Sequence, residues 1–443
     1  MSALVTGSTE PPARRRSSSA AALLTVLATV LGLAISVLAS APANGQNVRV
    51  RHSFFGMHDG STSSLTSLDD GSIRLWDAGV QWRDIEVTRG HYDWTRLDAL
   101  VTAAQHAHAE VLMVVAMTPR FYASKPTQPP SSLKPYKRFV HALMKRYRSF
   151  HGSRGIAAYQ AWNEPNIVTF YSGTMSKMAR MTRAMAAVRH TTDRHALVVA
   201  PSMVTRLRFE QKAIGNFYRQ RVDGRAVWRY VDATAFSLYP VARTGGRINV
   251  PEDSMKLLSL VRRVLHRAGV PRSKPLWNTE INYGLEGGTK PAAHISTDRQ
   301  AANVMRTYLL NAAAGVKRTY WYRYDLGRFS SGGTLANTLL ADPSTLAVTD
   351  VGRVFLRAQK WMHGSLIGPS KKARPCQHNR RGTYSCVVRD ASGTRHIYWN
   401  PFRTGSVRLP KGVHHLQGVL GAISSVKPRQ TIKVGYKPVM VYH

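Results

Sequence analysis

From residue 54 onward, short apolar runs alternate with longer stretches in which apolar residues recur every three or four positions. The runs FFGM (54–57), SIRLW (72–76), VLMVVAM (111–117), IAAYQAW (156–162), ALVVAPS (196–202), VDATAFSLY (231–239), PLWNTEI (275–281) and RTYWYRY (318–324) predict eight strands. Helical spacing occupies 94–108, 137–150, 175–191, 253–269 and 298–315, and Gly269 and Gly315 stand where two of these helices should stop. Strands alternating with helices favour a parallel sheet. Eight such repeats over roughly three hundred residues predict a (β/α)8 TIM barrel, placed at 48–364, rather than an open doubly wound sheet. No G-x-G-x-x-G or Walker motif follows any strand.

Beyond a last helical stretch at 349–364 the pattern changes. YSCVVRD, RHIYWN, GSVRLP, TIKVGY and KPVMVYH are short β-like runs separated by Gly, Pro and Asn. They predict a small β-sandwich domain at 365–443 that either binds glycan or caps the barrel. A length of 443 residues accommodates both domains.

The N-terminus adds a targeting segment. Arg14, Arg15 and Arg16 precede an apolar run from Ala20 to Ala39 and the small-residue stretch ASAPANGQ. Residues 1–43 therefore read as a signal peptide cleaved after Ala41 or Ala43, or as a retained membrane anchor. Either outcome places the bulk of the chain outside the cytoplasm, secreted or at the envelope. In that setting the only two cysteines, Cys376 and Cys386, predict one local disulfide. His378 is the sole metal-ligating neighbour, too few for a metal site, and nothing in the sequence asks for a cofactor.

Charge bears on partners rather than on fold. With 62 basic and 24 acidic residues the net charge is +38, which suits an anionic polysaccharide, an acidic cell envelope or a membrane surface. A general basic bias of the source proteome reads equally well. Nucleic acid fits poorly, since no helix-turn-helix, RNA-binding or zinc-finger pattern is present.

Barrel chemistry sits where strands end and βα loops begin. Glu164, in AWNEPN, is placed there because Pro165 steers it away from helical backbone. Glu280 ends PLWNTE, the seventh strand. Two carboxyls on one rim are what glycosidic cleavage uses: one protonates the leaving oxygen, the other stabilises or attacks the sugar carbon. Trp76, Trp82, Trp162, Tyr239, Trp277, Tyr283, Trp321 and Tyr322 lie near the same strand ends, where rings either stack on sugars or fill the core. Asp59, Glu86, Glu210, Glu286 and Asp325 also fall near loops; each reads as a solvated or Arg-paired carboxylate, with Glu286 and Asp325 the reserves.

WNEPN (162–166) and NTEINYG (278–284) resemble the two catalytic signatures of the clan A glycoside hydrolases, most nearly family 39 and bacterial exopolysaccharide hydrolases of that type. In strand order the resemblance spans 54–362. It implies a retaining glycosidase acting on carbohydrate, with Glu164 as general acid/base, Glu280 as nucleophile and Asn163 on the sugar 2-hydroxyl. It further implies Arg74 and Tyr239 holding the nucleophile and Trp321 under the bound sugar. Trp162 is a further expected substrate contact, and His58, at the end of the first strand, either hydrogen-bonds substrate or is structural, as a lone His more often is. Ser237 stands where such enzymes often carry a His, a departure from the pattern. Strict alternation would send Asn163 and Glu164 to opposite faces, so an irregular strand end is expected there. Glu164 should titrate above Glu280, being less solvated and farther from Arg74. The competing reading is a non-catalytic glycan- or envelope-binding barrel.

Overall fold

A computed structural model describes residues 47–60, 68–240, 250–283, 295–324, 340–342, 345–368 and 374–443. Glu286, Asp325 and the leading segment 1–43 lie outside these residues. Eight parallel strands form the central sheet: β1 (Phe55–Met57), β2 (Ser72–Leu75), β3 (Glu110–Val114), β4 (Ala158–Gln160), β5 (Leu197–Val199), β6 (Thr234–Ser237), β7 (Leu276–Ile281) and β8 (Arg318–Trp321). β8 pairs with β1, and a parallel bridge from Val199 to Ala233 joins β5 to β6, so the sheet closes into a barrel. Met203–Val204, just past β5, continues the pairing with β6.

The floor of the barrel is packed by Leu112, Ala158, Val199, Ala235, Trp277 and Tyr320. Gly56 makes room for this layer, because a Cβ there would meet the Tyr320 ring at 2.5 Å. Helices α1 (Thr95–His106), α2 (Leu133–Tyr147), α3 (Met175–Thr192), α4 (Arg208–Arg219), α5 (Pro251–Arg267), α6 (Thr297–Ala313) and α7 (Asp350–Met362) surround it, each turning its apolar residues to the sheet. Thr174 caps α3 by accepting from the Lys177 amide, an interaction that contributes about 1 kcal/mol. All six predicted helices are present within a few residues of their expected ends. α4 was not anticipated.

The C-terminal chain forms an antiparallel sheet in the order Val48–Arg49, Ser365–Ile367, Tyr384–Asp390, Gly393–Trp399, Val439–Tyr442, His415–Gly418, Ile423–Ser425, with Cys376–His378 alongside Tyr384–Asp390. A second ladder, Gly405–Arg408 with Thr431–Val434, covers one face over a core of Tyr398, Leu409, Val413, Val434 and Val441. Two layers over one core make a β-sandwich. Val48 and Arg49 belong to this layer rather than to the barrel, contrary to expectation, because they pair with Leu366 and Ser365. The Cys376–Cys386 disulfide is formed across one antiparallel pair. The barrel and this layer form one compact unit. Among the described residues no helix is long and apolar enough to cross a membrane.

Candidate active site

The expected irregularity at the end of β4 is realised in the backbone. Regular pairing stops at Gln160, and Trp162 and Glu164 adopt φ of 123° and 44°. Such left-handed conformations cost on the order of 1–3 kcal/mol each and persist only where their surroundings enforce them. Here the enforcement is visible: Asn163 bridges to Ser202 on the next strand, and Asn166 exchanges hydrogen bonds with the Val204 backbone at 2.8 and 3.0 Å. The twist frees Asn163 and Glu164 from strict alternation. A register shift does the same on β7, between Asn278 and Ile281, where Thr279 and Glu280 both contact groups inside the barrel.

Arg74 on β2 ties the two motifs together. Its Nη1 donates to Glu280 Oε2 at 3.0 Å, and its Nη2 donates to Asn163 Oδ1 at 2.7 Å. Nε and Nη2 both reach Gln160 Oε1, at 3.0 and 2.8 Å, while Gln160 donates onward to the Ala200 carbonyl. The Tyr239 hydroxyl donates to Glu280 Oε1 at 2.9 Å. Each oxygen of Glu280 thus has a donor, one of them cationic, which favours its ionised form.

Glu164 is buried, and among the described residues no cation stands at hydrogen-bond distance from it. Its partner is the Ser237 hydroxyl, with Arg74 and Arg206 contributing positive potential. Behind Ser237 runs a chain of buried hydroxyls: Ser237 Oγ to Ser202 Oγ at 3.0 Å, Ser202 Oγ to Thr279 Oγ1 at 2.7 Å, and Thr279 Oγ1 to the Phe236 carbonyl at 3.3 Å. The departure at position 237 therefore leaves Glu164 facing a hydroxyl relay.

Burial raises both carboxyls above their ordinary range. The Glu164 charge then pushes Glu280 further, to about 8, against the opposing pull of Arg74 and Tyr239. The sequence expectation, a difference in solvation, is corrected here: both groups are dry. Two buried carboxyls that repel one another favour a state in which one of them carries a proton. The two donors on Glu280 place the negative charge there, which leaves the proton on Glu164.

His58 is buried beside this network. Its Nε2–H donates to the Thr279 carbonyl at 2.9 Å, and burial together with Arg74 pushes its pKa down to about 3, so the ring is neutral. Its Nδ1 has no partner among the described residues. Asp77, which sequence reasoning passed over, accepts from the Tyr322 hydroxyl at 2.6 Å and from Arg323 at 3.1 Å. Burial works against its ionisation, yet Arg323 and the Tyr322 hydroxyl hold its pKa below the usual carboxylate value. Gln160, Ser202, Thr279 and Asp77 were all missed; polar residues inside otherwise apolar barrel strands are the signal that could have found the first three.

The proposed aromatic rim is corrected in part. Trp82, Trp162, Trp277 and Tyr283 are core residues. The Trp162 indole donates to the Phe170 carbonyl at 2.8 Å and its ring meets Tyr171 edge-on, so its polar end is occupied by the protein itself. Trp321 is also buried, beside Tyr283. Tyr239 remains half-buried at the site. Of the other carboxylates, Glu86 accepts from Trp82, Tyr122 and the Gly90 amide, and Glu210 accepts from the Leu207 amide at the start of α4. Both are structural. Among the described residues no group of three or more His, Cys, Asp or Glu could hold a metal.

No family model and no curated protein matches the chain. Among solved structures it is similar to a family 39 glycoside hydrolase from the gut symbiont Bacteroides cellulosilyticus WH2, at TM-score 0.63 and 15% identity over 88% of this chain and 81% of that one. A glucosidase from Croceicoccus marinus follows at TM-score 0.60 and 12% identity, over 91% and 97% of the two chains. A family 39 enzyme from Xanthomonas axonopodis pv. citri gives 0.57 and 14%, over 92% and 98%. Coverage of this extent exceeds the barrel alone, and identities this low speak for fold only. The likeness to clan A enzymes of the family 39 type, first visible in two short motifs, thus extends to the whole fold.

Proposed function

We propose that the protein is an exported retaining glycoside hydrolase that cleaves a β-linked poly- or oligosaccharide, with Glu164 as acid/base and Glu280 as nucleophile. The observation that carries this reading is Arg74, whose one guanidinium reaches Glu280 at 3.0 Å and Asn163 at 2.7 Å, joining the two motifs in a buried cluster.

In the first step Glu164 gives its proton to the glycosidic oxygen as that bond breaks, and Glu280 attacks the anomeric carbon to form a glycosyl-enzyme. Arg74 and Tyr239 keep Glu280 ionised until then. Once Glu280 is esterified its charge is gone and no longer opposes ionisation of Glu164, which is then better able to take a proton from the water that releases the sugar. Asn163, held by Arg74, is placed for the 2-hydroxyl.

A non-catalytic glycan-binding barrel would gain nothing from two mutually repelling buried carboxyls, which burden stability above their ordinary pKa. The test is hydrolysis of a panel of aryl glycosides and envelope polysaccharides by the full chain and by Glu164→Gln and Glu280→Gln. Each variant should fold and lose at least about a hundredfold in rate, the general scale for removing such groups. Near-normal turnover in either variant sinks its assignment.

A further inference from the structure

The positive charge is not spread evenly. Residues 374–443 contain twelve Lys and Arg against a single acidic residue, Asp390, a far steeper ratio than the 62 to 24 of the whole chain. Asp390 is already paired with Arg395 at 2.7 Å. On the same layer lies an open groove of about 760 Å³ bordered by Arg380, Arg381, Arg403 and Lys433, with no carboxylate on its wall.

This groove is built. Asn400, 1% exposed, donates through Nδ2 to the Arg381 carbonyl at 3.0 Å and accepts through Oδ1 from the Phe402 and Arg403 amides at 3.2 Å. One buried amide therefore fixes both loops that carry the arginines. Asn379 accepts from the Arg381 and Thr383 amides at 2.9 and 3.1 Å, and the disulfide closes the hairpin beneath. Arg403 Nε donates to the Arg381 carbonyl at 2.8 Å, and Lys433 Nζ donates to Ser406 Oγ at 3.2 Å. The loop with Arg403 also presents Phe402, 59% exposed, a flat apolar surface of the kind that sugar faces cover.

We propose that this groove of the β-sandwich is a binding site for an anionic polysaccharide, whose repeated carboxylates or sulfates pair with Arg380, Arg381, Arg403 and Lys433. Preformed loop backbones and a held Arg403 Nε lower the ordering cost of recognition, and planar arginine forks suit carboxylate and sulfate oxygens. The choice of a glycan as the anionic polymer rests on the glycosidase reading; the groove itself does not.

The experiment is affinity electrophoresis of the full chain through gels containing polygalacturonate or neutral dextran, with anionic phosphatidylglycerol vesicles in a parallel sedimentation assay. Wild type should be retarded by polygalacturonate and not by dextran, less so as salt rises. The variant Arg380→Ser/Arg381→Ser/Arg403→Ser/Lys433→Ser should lose at least tenfold in affinity while hydrolysing small aryl glycosides like wild type. Arg380→Glu/Lys433→Glu repeats the test without touching the Arg403 bond, should the fourfold variant fold poorly. Lys137→Ser/Lys145→Ser/Arg194→Ser/Lys212→Ser removes equal charge from the exposed barrel surface and should bind normally. Equal loss in that control, unchanged polygalacturonate binding in the groove variants, or loss of vesicle binding alone overturns the proposal. Failure of hydrolysis throughout the panel, with groove binding intact, would instead count against the proposed activity.

Discussion

Nη1 of Arg74 lies 3.0 Å from Oε2 of Glu280, and both side chains are almost wholly withdrawn from solvent. The same guanidinium serves Gln160 and Asn163, so its geometry matters as much as its charge. Lysine offers one ammonium point and cannot span three acceptors. Arg74→Lys should therefore lower kcat/KM by about a hundredfold or more, comparable to removing a preorganised donor. Arg74→Met removes the charge as well. Since Arg74 lowers the Glu280 pKa, its loss raises that pKa, and protonation of the nucleophile then begins at higher pH. The acidic limb of the kcat/KM profile should move upward in Arg74→Met and less in Arg74→Lys. A limb that stays in place in both variants would remove Arg74 from its assigned role.

Ser237 gives a prediction of opposite location in the profile. When Glu164 is protonated it can donate to Ser237, and the hydroxyls of Ser237, Ser202 and Thr279 can each donate onward, ending at the Phe236 carbonyl. When Glu164 is ionised the chain reverses and Ser237 donates to the carboxylate. Ser237→Ala takes away that donor, so the Glu164 pKa rises further and the alkaline limb, where the acid loses its proton, moves up. Breakdown of the glycosyl-enzyme needs ionised Glu164 as base and should slow by roughly tenfold, the equivalent of about 1.4 kcal/mol. Pre-steady-state measurement with a good aryl leaving group checks this: the burst should grow more distinct in Ser237→Ala. Loss of rate with both limbs fixed would mean that Ser237 only packs.

These two residues also mark where sequence reasoning succeeds and stops. Glu164 and Glu280 were legible because strand order puts their ends on one rim, whereas Arg74 and Tyr239 came into view as partners only through the resemblance carried by the two motifs. Ser237 was seen only as a departure; its link through Ser202 to Thr279 depends on a bulge between Phe236 and Ser237 that no pattern of apolar residues announces. Strand positions were readable from apolar runs, yet their ends overran: VLMVVAM continues as Val115, Ala116 and Met117, which are buried beyond the last paired residue. Burial and strand pairing select the same side chains. The rings Trp82 and Trp162 misled for a related reason, since stacking on a sugar and packing in a core both call for an aromatic. Helix α4 escaped because Gly215 interrupts a sequence dominated by Arg, Gln and Lys, leaving Ile214, Phe217 and Tyr218 as its buried face.

The contact between barrel and sandwich supplies a stability prediction. Glu252, near the start of α5, accepts from Arg306 Nε at 3.0 Å and from the Trp399 indole at 2.8 Å, and all three side chains are buried. Arg306 also reaches the Tyr436 carbonyl at 3.5 Å, so one ion pair is anchored by a strand and a loop of the C-terminal layer. Removing one member of a buried pair leaves the other charge uncompensated, which costs about 3–5 kcal/mol. Glu252→Ala should therefore be far more destabilising than Trp399→Phe, which removes one donor while keeping an aromatic ring. The double variant should fall short of the sum, because Trp399 has nothing left to donate to once Glu252 is gone. Urea unfolding followed by tryptophan fluorescence and by residual hydrolysis measures all three. Because this pair couples the layers, both signals should be lost in one transition in the wild type. A first transition that melts the sandwich while hydrolysis survives would show the barrel standing without it, and the Glu252–Arg306–Trp399 cluster would then be a local contact rather than the joint between them.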